Sequence, residues 1–359
     1  MHTDINAKAR LLTGDTPTGP LHLGHWVGSL KTRVELQESH DCYFIIANTH
    51  AFTTHPERAD SIHRNVLDVT LDYLAAGIDP QKSTIFIQSE IPAIAELTYF
   101  LSMLLPFSRV MRNPTVKEEI NTKGLGDHYS FGFLLYPVGQ VADILAFRPE
   151  RVPVGADQLP HLEMTREVAR RFNQIYCGVD PHASDEQATL LGGLFPIIRP
   201  EPIAAQRLVG IGPPNENGVL PKMSKSLNNA ILLSDPPELI QQKVMGMYTD
   251  PKRIRATDPG TVENNPLWAL HDAFHPDTQW VAQAKERYRA GTIGDVACKR
   301  ELIDVLVAFT APMRQRRQHY IQDKATVVQV LKQGTERANQ IANETISKVK
   351  KAMHQHYFD

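Results

Sequence analysis

The strongest constraint on how this chain folds is the alternation, in its N-terminal quarter, of β-branched and aromatic runs with amphipathic stretches. "RLLTG" reads as a short buried strand ending in glycine, and "HWVGSLKTRVELQES" as a helix beginning near His25. "CYFIIANTHAF" follows as a second strand, "RADSIHRNVLDVTLDYLAAG" as a helix closed by Gly77, and "STIFIQSE" as a third strand. Strands joined by single helices at this spacing lie parallel and are connected by right-handed crossovers. The predicted fold class is therefore α/β.

Further along, "AELTYFLSMLLPFSRV" predicts one more helix, and the polar "NPTVKEEINTKGLGDHYS" a loop or short helices. "FGFLLYPVGQVADILAF" is apolar almost all round, which predicts a buried helix broken near Pro137 and leading into the strand "RVPVG". Prolines and glycines concentrate from Arg199 to Pro221, the pattern of a linker or long loop. After Asp235 the pattern is mostly helical. The reading is an α/β domain over 9–205, a loop and linker over 206–230, and an all-helical domain over 231–359.

Composition bounds the function. A chain of 359 residues suits two cores, and 42% apolar with 22% charged residues describes a globular protein. A formal charge of −2 excludes a uniformly basic nucleic-acid binder but leaves room for a local basic face. Cys42, Cys177 and Cys298 lie far apart without CxxC spacing, which argues against a zinc site or a disulfide framework, so no protein-held metal is expected and a reducing cytoplasm fits. "MHTDINAKARLL" has no apolar core behind basic residues, and no run approaches the roughly 18 apolar residues of a membrane span, so neither export nor a membrane is expected.

Two motifs carry chemistry. In "PLHLGH" the glycine lets backbone approach a ligand closely, and a helix starting beside it aims N–H groups at that ligand. His22 and His25 can then donate hydrogen bonds to phosphate oxygens as charge builds in a transition state. The plainer reading is one capping and one surface histidine. Far downstream, "KMSKS" from Lys222 to Ser226 sets two lysines three residues apart after a Gly/Pro-rich loop, a flexible cationic clamp suited to polyphosphate. Alone, it is a solvated loop as readily as a clamp.

Together, HxGH near the start of an α/β domain and KMSKS at its far end are the signature pair of class I aminoacyl-tRNA synthetases, which this chain resembles over nearly its whole length. It is most similar to the tryptophan-specific family, through "GDTPTGPLHLGHWVGSL", "NPTVKEEI", "YPVGQVADIL", "VPVGADQLPHLEMTREVARRFN", "PKMSKSLNNAI" and "MYTDPKRIRATDPG". The resemblance implies a Rossmann-like sheet, a helical anticodon-binding domain, a homodimer, and as substrates L-tryptophan, ATP with Mg²⁺, and tRNA(Trp). It implies that His22, His25, Lys222 and Lys225 stabilise the transition state. It places Thr16, Pro17, Thr18, Gly24, Gly155, Ala156, Asp157, Leu208, Met223, Ser224 and Ser226 around ATP, with the Leu208 backbone at adenine.

For the amino acid, Tyr136, Gln140 and Asp143 fall at i, i+4 and i+7 on one face of the apolar helix, where each needs a partner or carries a desolvation cost of about 1–3 kcal/mol. An internal structural network is the alternative. The resemblance gives Asp143 the indole N–H, Tyr136 and Gln140 the ammonium end or pocket wall, and Gln158 the amine, with His50 keeping its place in the pocket. Two departures stand out: Thr16 where relatives carry Gln or Arg, and Asn48 where they carry Asp.

The tyrosine-specific sister family shares the Y-xxx-Q-xx-D helix, so that stripe does not separate the two; the short "TPTGPLHLGH" turn, the "VGADQ" loop and "KMSKS" favour the resemblance to the tryptophan family. Small nucleotidyltransferases share HxGH but lack the helical appendage and the clamp, and a non-catalytic paralogue would erode one signature. For the tRNA, the basic clusters are Lys252, Arg253 and Arg255; Lys285, Arg287 and Arg289; and Arg314, Arg316 and Arg317, with His319 and Tyr320 beside the last. Each is also readable as a solvated helix face.

Overall fold

The computed structural model describes residues 8–53, 56–122, 124–126, 128–155, 158–202, 207–251 and 253–358. Five parallel strands, β1 (Arg10–Asp15), β2 (Asp41–Ile46), β3 (Ser83–Ile87), β4 (Arg151–Val154) and β5 (Arg199–Pro202), form one sheet in the order β3-β2-β1-β4-β5. Between β1 and β2 run α1 (Leu23–His25), a π-helical segment Trp26–Leu30 and α2 (Lys31–Leu36); after β2 come α3 (Asn48–Ala51) and α4 (Ala59–Ala76). Gly77, at φ 109°, closes α4 in the left-handed conformation expected of a helix-ending glycine.

Between β3 and β4 lie α5 (Pro92–Ser102), α6 (Phe107–Met111), α7 (Pro114–Thr122) and α8 (Phe131–Leu145), and α9 (Leu159–Cys177) joins β4 to β5. The remaining described elements are helices: α10 (Pro237–Met245), α11 (Pro266–Phe274), α12 (Thr278–Arg289), α13 (Asp295–Gln322) and α14 (Lys324–Ala352).

Both sheet faces are covered, which is why the strands read as near-continuous apolar runs. Leu11, Phe44, Ile46 and Ile85 pack on one face with Trp268, Leu302 and Leu306 from the helical part of the chain. Leu12, Tyr43, Ile45 and Phe86 pack on the other with α5, α8 and α9 and with Ala338, Ala342, Ile346 and Val349 of α14. The two cores are thus divided by the sheet rather than at residue 231. Close approach explains how α14 reaches β3: a Cβ on Gly334 would lie 2.0 Å from the carbonyl oxygen of Ile85.

Several expectations need correction. The second strand stops at Ile46, and the chain turns into α3 because Asn48 and Ser89 exchange hydrogen bonds of 2.8 and 3.0 Å across the strand ends. The "AELTYFLSMLLPFSRV" helix is two helices, since Pro106, extended at ψ 141°, cannot continue the first. Pro137 sits inside an unbroken α8, whose burial against α5 and α9 outweighs the lost backbone bond to Phe133. Finally, the proline-rich segment after Ile198 holds β5. Among the described residues it is an edge strand paired with β4 alone, and Arg199 N–H donates to the Glu150 carbonyl, so Pro200 and Pro202 fall where no donor is needed.

Candidate active site

The strand order reverses at β1, and a crevice opens where the carboxyl ends of β1 and β4 part, the position at which open α/β sheets bind ligands. A cavity of about 650 Å³ occupies it, walled by Thr13 to Thr16 and Thr18 from the end of β1, by Gly155 and Gln158 after β4, and by Tyr136, Gln140 and Asp143 of α8. His50 closes one side from α3. Gly28 and Ser29, in the π-helical segment, form part of the wall; an extra residue in a helical turn is a common device at sites.

The expected stripe on α8 is present, and Asp143 is its anchor. At 5% exposure, its carboxylate accepts hydrogen bonds of 2.7 and 2.9 Å from Gln88 Nε2, and His50 Nε2 lies 2.7 Å away. Gln88 is itself fixed, since its Oε1 accepts the Thr49 N–H at 3.0 Å. A carboxylate offers about four acceptor positions, so Asp143 can take a further N–H from a ligand. Tyr136 donates to Glu119 Oε1 at 3.2 Å, and burial together with that carboxylate holds its phenol well above the ordinary value. Gln140 Nε2 donates to Gln158 Oε1 at 3.3 Å, so α8 and the start of α9 share one polar wall.

On the cavity wall, the buried Arg33 and the partly buried Asp15 form an ion pair at 2.7 Å, and the Tyr73 hydroxyl donates to the same carboxylate at 2.6 Å. Burial would raise the Asp15 carboxyl, but the charge of Arg33, helped by His25 and the hydrogen bonds from Arg33 and Tyr73, holds it at about 2.

The two signature segments flank the cavity beside Thr16 and Thr18; His22, His25, Lys222 and Lys225 are not among its lining residues. The His22 and His25 rings lie with centroids 3.8 Å apart and planes tilted by 46°, and the His22 backbone N–H donates to His25 Nδ1 at 3.0 Å. Gly24 is required here because a Cβ would come within 2.9 Å of the His22 ring. Burial lowers the pKa of both rings. Its effect is reinforced at His22 by His25 and the clamp lysines, which bring it to about 3. At His25 burial outweighs the attraction of Asp15 and leaves it at about 4.

Backbone pairing joins the signatures. Leu23 N–H donates to Ile231 O and Leu233 N–H to Leu21 O, both at 2.9 Å, so the strand leaving KMSKS lies antiparallel to the one entering α1. Asn229 pins the loop between them, accepting the Ser224 N–H at 2.7 Å and donating to Lys222 O at 3.2 Å. Leu208 O receives the Met223 N–H at 2.9 Å, and Met223 packs under Gly24. Lys225 Nζ donates to Pro20 O at 2.9 Å. Pro17 is buried beside Asn65, which donates to its carbonyl at 3.1 Å, while Lys222 and Ser226 are exposed. Ala156 and Asp157 lie outside the described residues.

Asn48, the departure from the expected carboxylate, is engaged with Ser89 rather than the cavity. Residues not singled out in the sequence are Asp15, Arg33, Gln88, Glu119 and His161, which also line the site or buttress it. Asp15 and Gln88 carried a signal, a polar residue ending or directly following an apolar strand.

The basic clusters are largely engaged in the fold. Arg253 is buried with its guanidinium 4.0 Å from the Tyr288 ring centroid; Lys285 pairs with Asp272, and Arg289 with Glu263. Arg314 bonds Thr310 and the Val307 carbonyl, Arg316 the Ala75 carbonyl, and Arg317 both Asp68 and Asp72, so this last cluster docks α13 on α4. Arg255 and Arg287 are exposed, as is His319, and Lys252 lies outside the described residues.

Residues 3–311 match the family described as tRNA synthetases class I (W and Y). The chain belongs to that class. The tryptophan-tRNA ligase of Streptococcus pneumoniae is 45% identical over 98% of this chain and 99% of its own, and that of Clostridium longisporum 43% over 98% and 99%. Among solved structures, tryptophanyl-tRNA synthetase from Campylobacter jejuni, complexed with ADP and tryptophan, superimposes with a TM-score of 0.80 at 28% identity, covering 96% of this chain and 99% of that one. Within the class the chain is a member of the tryptophanyl-tRNA synthetase family.

Proposed function

We propose that this chain activates L-tryptophan with ATP and transfers it to tRNA(Trp). The observation that carries the reading is the pairing of a buried, doubly anchored Asp143 in the cavity with two signature segments hydrogen-bonded to each other at its rim. In the first step the tryptophan carboxylate attacks the α-phosphorus, the bond to the bridging oxygen breaks, and pyrophosphate leaves. In the second, a hydroxyl of the terminal ribose attacks the adenylate carbonyl, its proton is lost, and AMP leaves.

The substrate carboxylate is the nucleophile, so the protein contributes positioning and electrostatics. His22 and His25, with pKa values of about 3 and 4, are neutral near pH 7, so they act as N–H donors to phosphate oxygens. The positive charge comes from Lys222 and Lys225. Among the described residues no three His, Cys, Asp or Glu side chains gather into a metal cage, and the titratable side chains of the two signature motifs are histidines and lysines. A Mg²⁺ would therefore arrive with ATP rather than be held by these side chains, and would supply charge neutralisation at the phosphates.

A homodimer is supported by Tyr99, Met103 and Phe107, which expose apolar surface at 67%, 56% and 66% along the end of α5 and the start of α6. A reducing cytoplasm fits three free cysteines, of which Cys42 and Cys298 are held at about 12 by burial and a neighbouring aspartate. No described helix is long and apolar enough to cross a membrane. The test of the activity is pyrophosphate exchange into ATP with each amino acid in turn. Exchange dependent on tryptophan, followed by charging of tRNA(Trp), is expected; exchange supported by tyrosine alone, or by no amino acid, would refute the reading.

A further inference from the structure

Asp72 sits on α4, outside the cavity, and is fully buried. Its Oδ2 accepts the backbone N–H of Leu21 at 2.7 Å. The carbonyl of that same peptide group is Pro20 O, which accepts Lys225 Nζ at 2.9 Å. The peptide is trans, so its N–H and C=O point opposite ways, and carboxylate, peptide and ammonium form one hydrogen-bonded line. An anion on the N–H and a cation on the C=O polarise the amide in the same sense, so each bond strengthens the other.

The line extends to the helical part of the chain. Asp72 Oδ1 accepts Arg317 Nε at 2.9 Å, and Arg317 Nη2 reaches Asp68 at 3.2 Å. Next to it, Arg316 Nε holds the Ala75 carbonyl at 2.7 Å. The remaining Leu21 backbone group, its carbonyl, receives the Leu233 N–H beyond KMSKS. Capping one N–H needs only a neutral acceptor. Asp72 brings a charge to that N–H as well as an acceptor; Arg317 pairs with it on one side, and across the peptide the same carboxylate faces the Lys225 ammonium.

We infer that Asp72, paired with Arg317, is a positioning residue that sets the resting place of Lys225 through the Pro20–Leu21 peptide, and so couples α13 to the clamp lysine. It rests on the reading of this cleft as the site of adenylate formation. When ATP binds, Lys225 exchanges Pro20 O for phosphate oxygens, and the distance it travels is fixed by the orientation of that peptide.

The test is a double-mutant cycle in tryptophan-dependent pyrophosphate exchange, with thermal unfolding measured alongside. Asp72→Asn keeps an acceptor for Leu21 but removes the charge. With Lys225 present it is expected to lower kcat roughly tenfold and leave the KM for tryptophan within about twofold; in a Lys225→Ala background its effect is expected to shrink below about twofold. Should Asp72→Asn not fold, Arg317→Gln carries the same comparison, and Arg317→Lys is expected to recover part of the rate. Equal losses with and without Lys225, or losses that track the unfolding temperature, would make the pair purely structural and overturn the inference. Absence of tryptophan-dependent exchange in the unaltered protein would overturn the assigned activity as well.

Discussion

The backbone N–H of His22 donates to Nδ1 of His25, and the two tilted rings have centroids 3.8 Å apart. This bond fixes His25 as the tautomer protonated on Nε2, which leaves that N–H as its donor. With folded values of about 3 and 4, both rings are expected to keep their neutral ¹⁵N signals from pH 8 down to pH 5. Both values are lowered on folding, so the stability they confer is complete above the unfolded value of 6.5 and is lost as pH falls towards 4 and 3. Urea midpoints should decline through that window, and less so in His25→Gln. An imidazolium signal at pH 6 from either ring would remove the neutral-donor role.

Gln88 is expected to govern tryptophan affinity without touching ATP, because it anchors Asp143 with two of its hydrogen bonds. Hydrogen bonds to a charged group contribute about 1.5–3 kcal/mol, so Gln88→Leu should raise the KM for tryptophan roughly 10- to 100-fold. It should also weaken discrimination against 1-methyltryptophan, which lacks the indole N–H. An unchanged preference between the two compounds would separate Asp143 from the indole.

The clamp behaves differently. Lys222→Ala and Lys225→Ala are expected to lower kcat for adenylate formation by about 100-fold while tryptophan binding stays within a few-fold, as for contacts that strengthen only in the transition state. Asn229→Ala should produce a milder form of the same pattern, since its side chain pins the backbone of Lys222 and Ser224. Tryptophan affinity falling in step with kcat would contradict this assignment.

For the tRNA, Arg255 and Arg287 are exposed on the helical part of the chain, whereas Arg314, Arg316 and Arg317 have partners within the fold. Replacing Arg255 and Arg287 by Ala should reduce charging and flatten its salt dependence, with exchange in the absence of tRNA near that of the unaltered protein. Replacing Arg316 and Arg317 should instead impair exchange itself. The reverse result would return the anticodon face to the "RQRR" segment.

Gly334 offers a stability test with two opposing terms. Alanine in mid-helix gains about 1 kcal/mol of propensity over glycine, but here its Cβ would lie 2.0 Å from Ile85 O, and overpacking costs about 1–3 kcal/mol. Gly334→Ala is expected to lower the urea midpoint, and a raised midpoint would mean that α14 shifts freely on β3.

Sequence alone located β1 to β4, α4 with its terminal glycine, and the polar stripe on α8, because each depends on local periodicity and capping. It missed β5, since prolines at 200 and 202 signal a loop until the partner strand is known to lie on one side only. Pro137 misled for the opposite reason: packing on α5 and α9, invisible in the local pattern, keeps α8 whole. The motif residues were legible as motifs, whereas their supports were not. Asp72, Gln88 and Arg317 act through partners 51, 55 and 245 positions away, distances at which no spacing rule operates. For the same reason the arginines of "RQRR" resembled a free basic face.

The contact of Gly334 with Ile85 bears on how the protein is made. β3 is the outermost strand on its side of the sheet, and the neighbouring Ile87 N–H is satisfied by the Thr335 hydroxyl at 3.3 Å rather than by another strand. Until α14 arrives, that edge is a bare row of donors and acceptors, a template for pairing with a second unfinished chain. The covering residue lies 248 positions after the strand it protects, so on the ribosome, at about 5–20 residues per second, the sheet waits on the order of ten seconds or more with its side open. A chain truncated before Lys324 would keep every residue of the cleft and carry that open edge permanently, which makes aggregation, rather than a defect in chemistry, its expected fate.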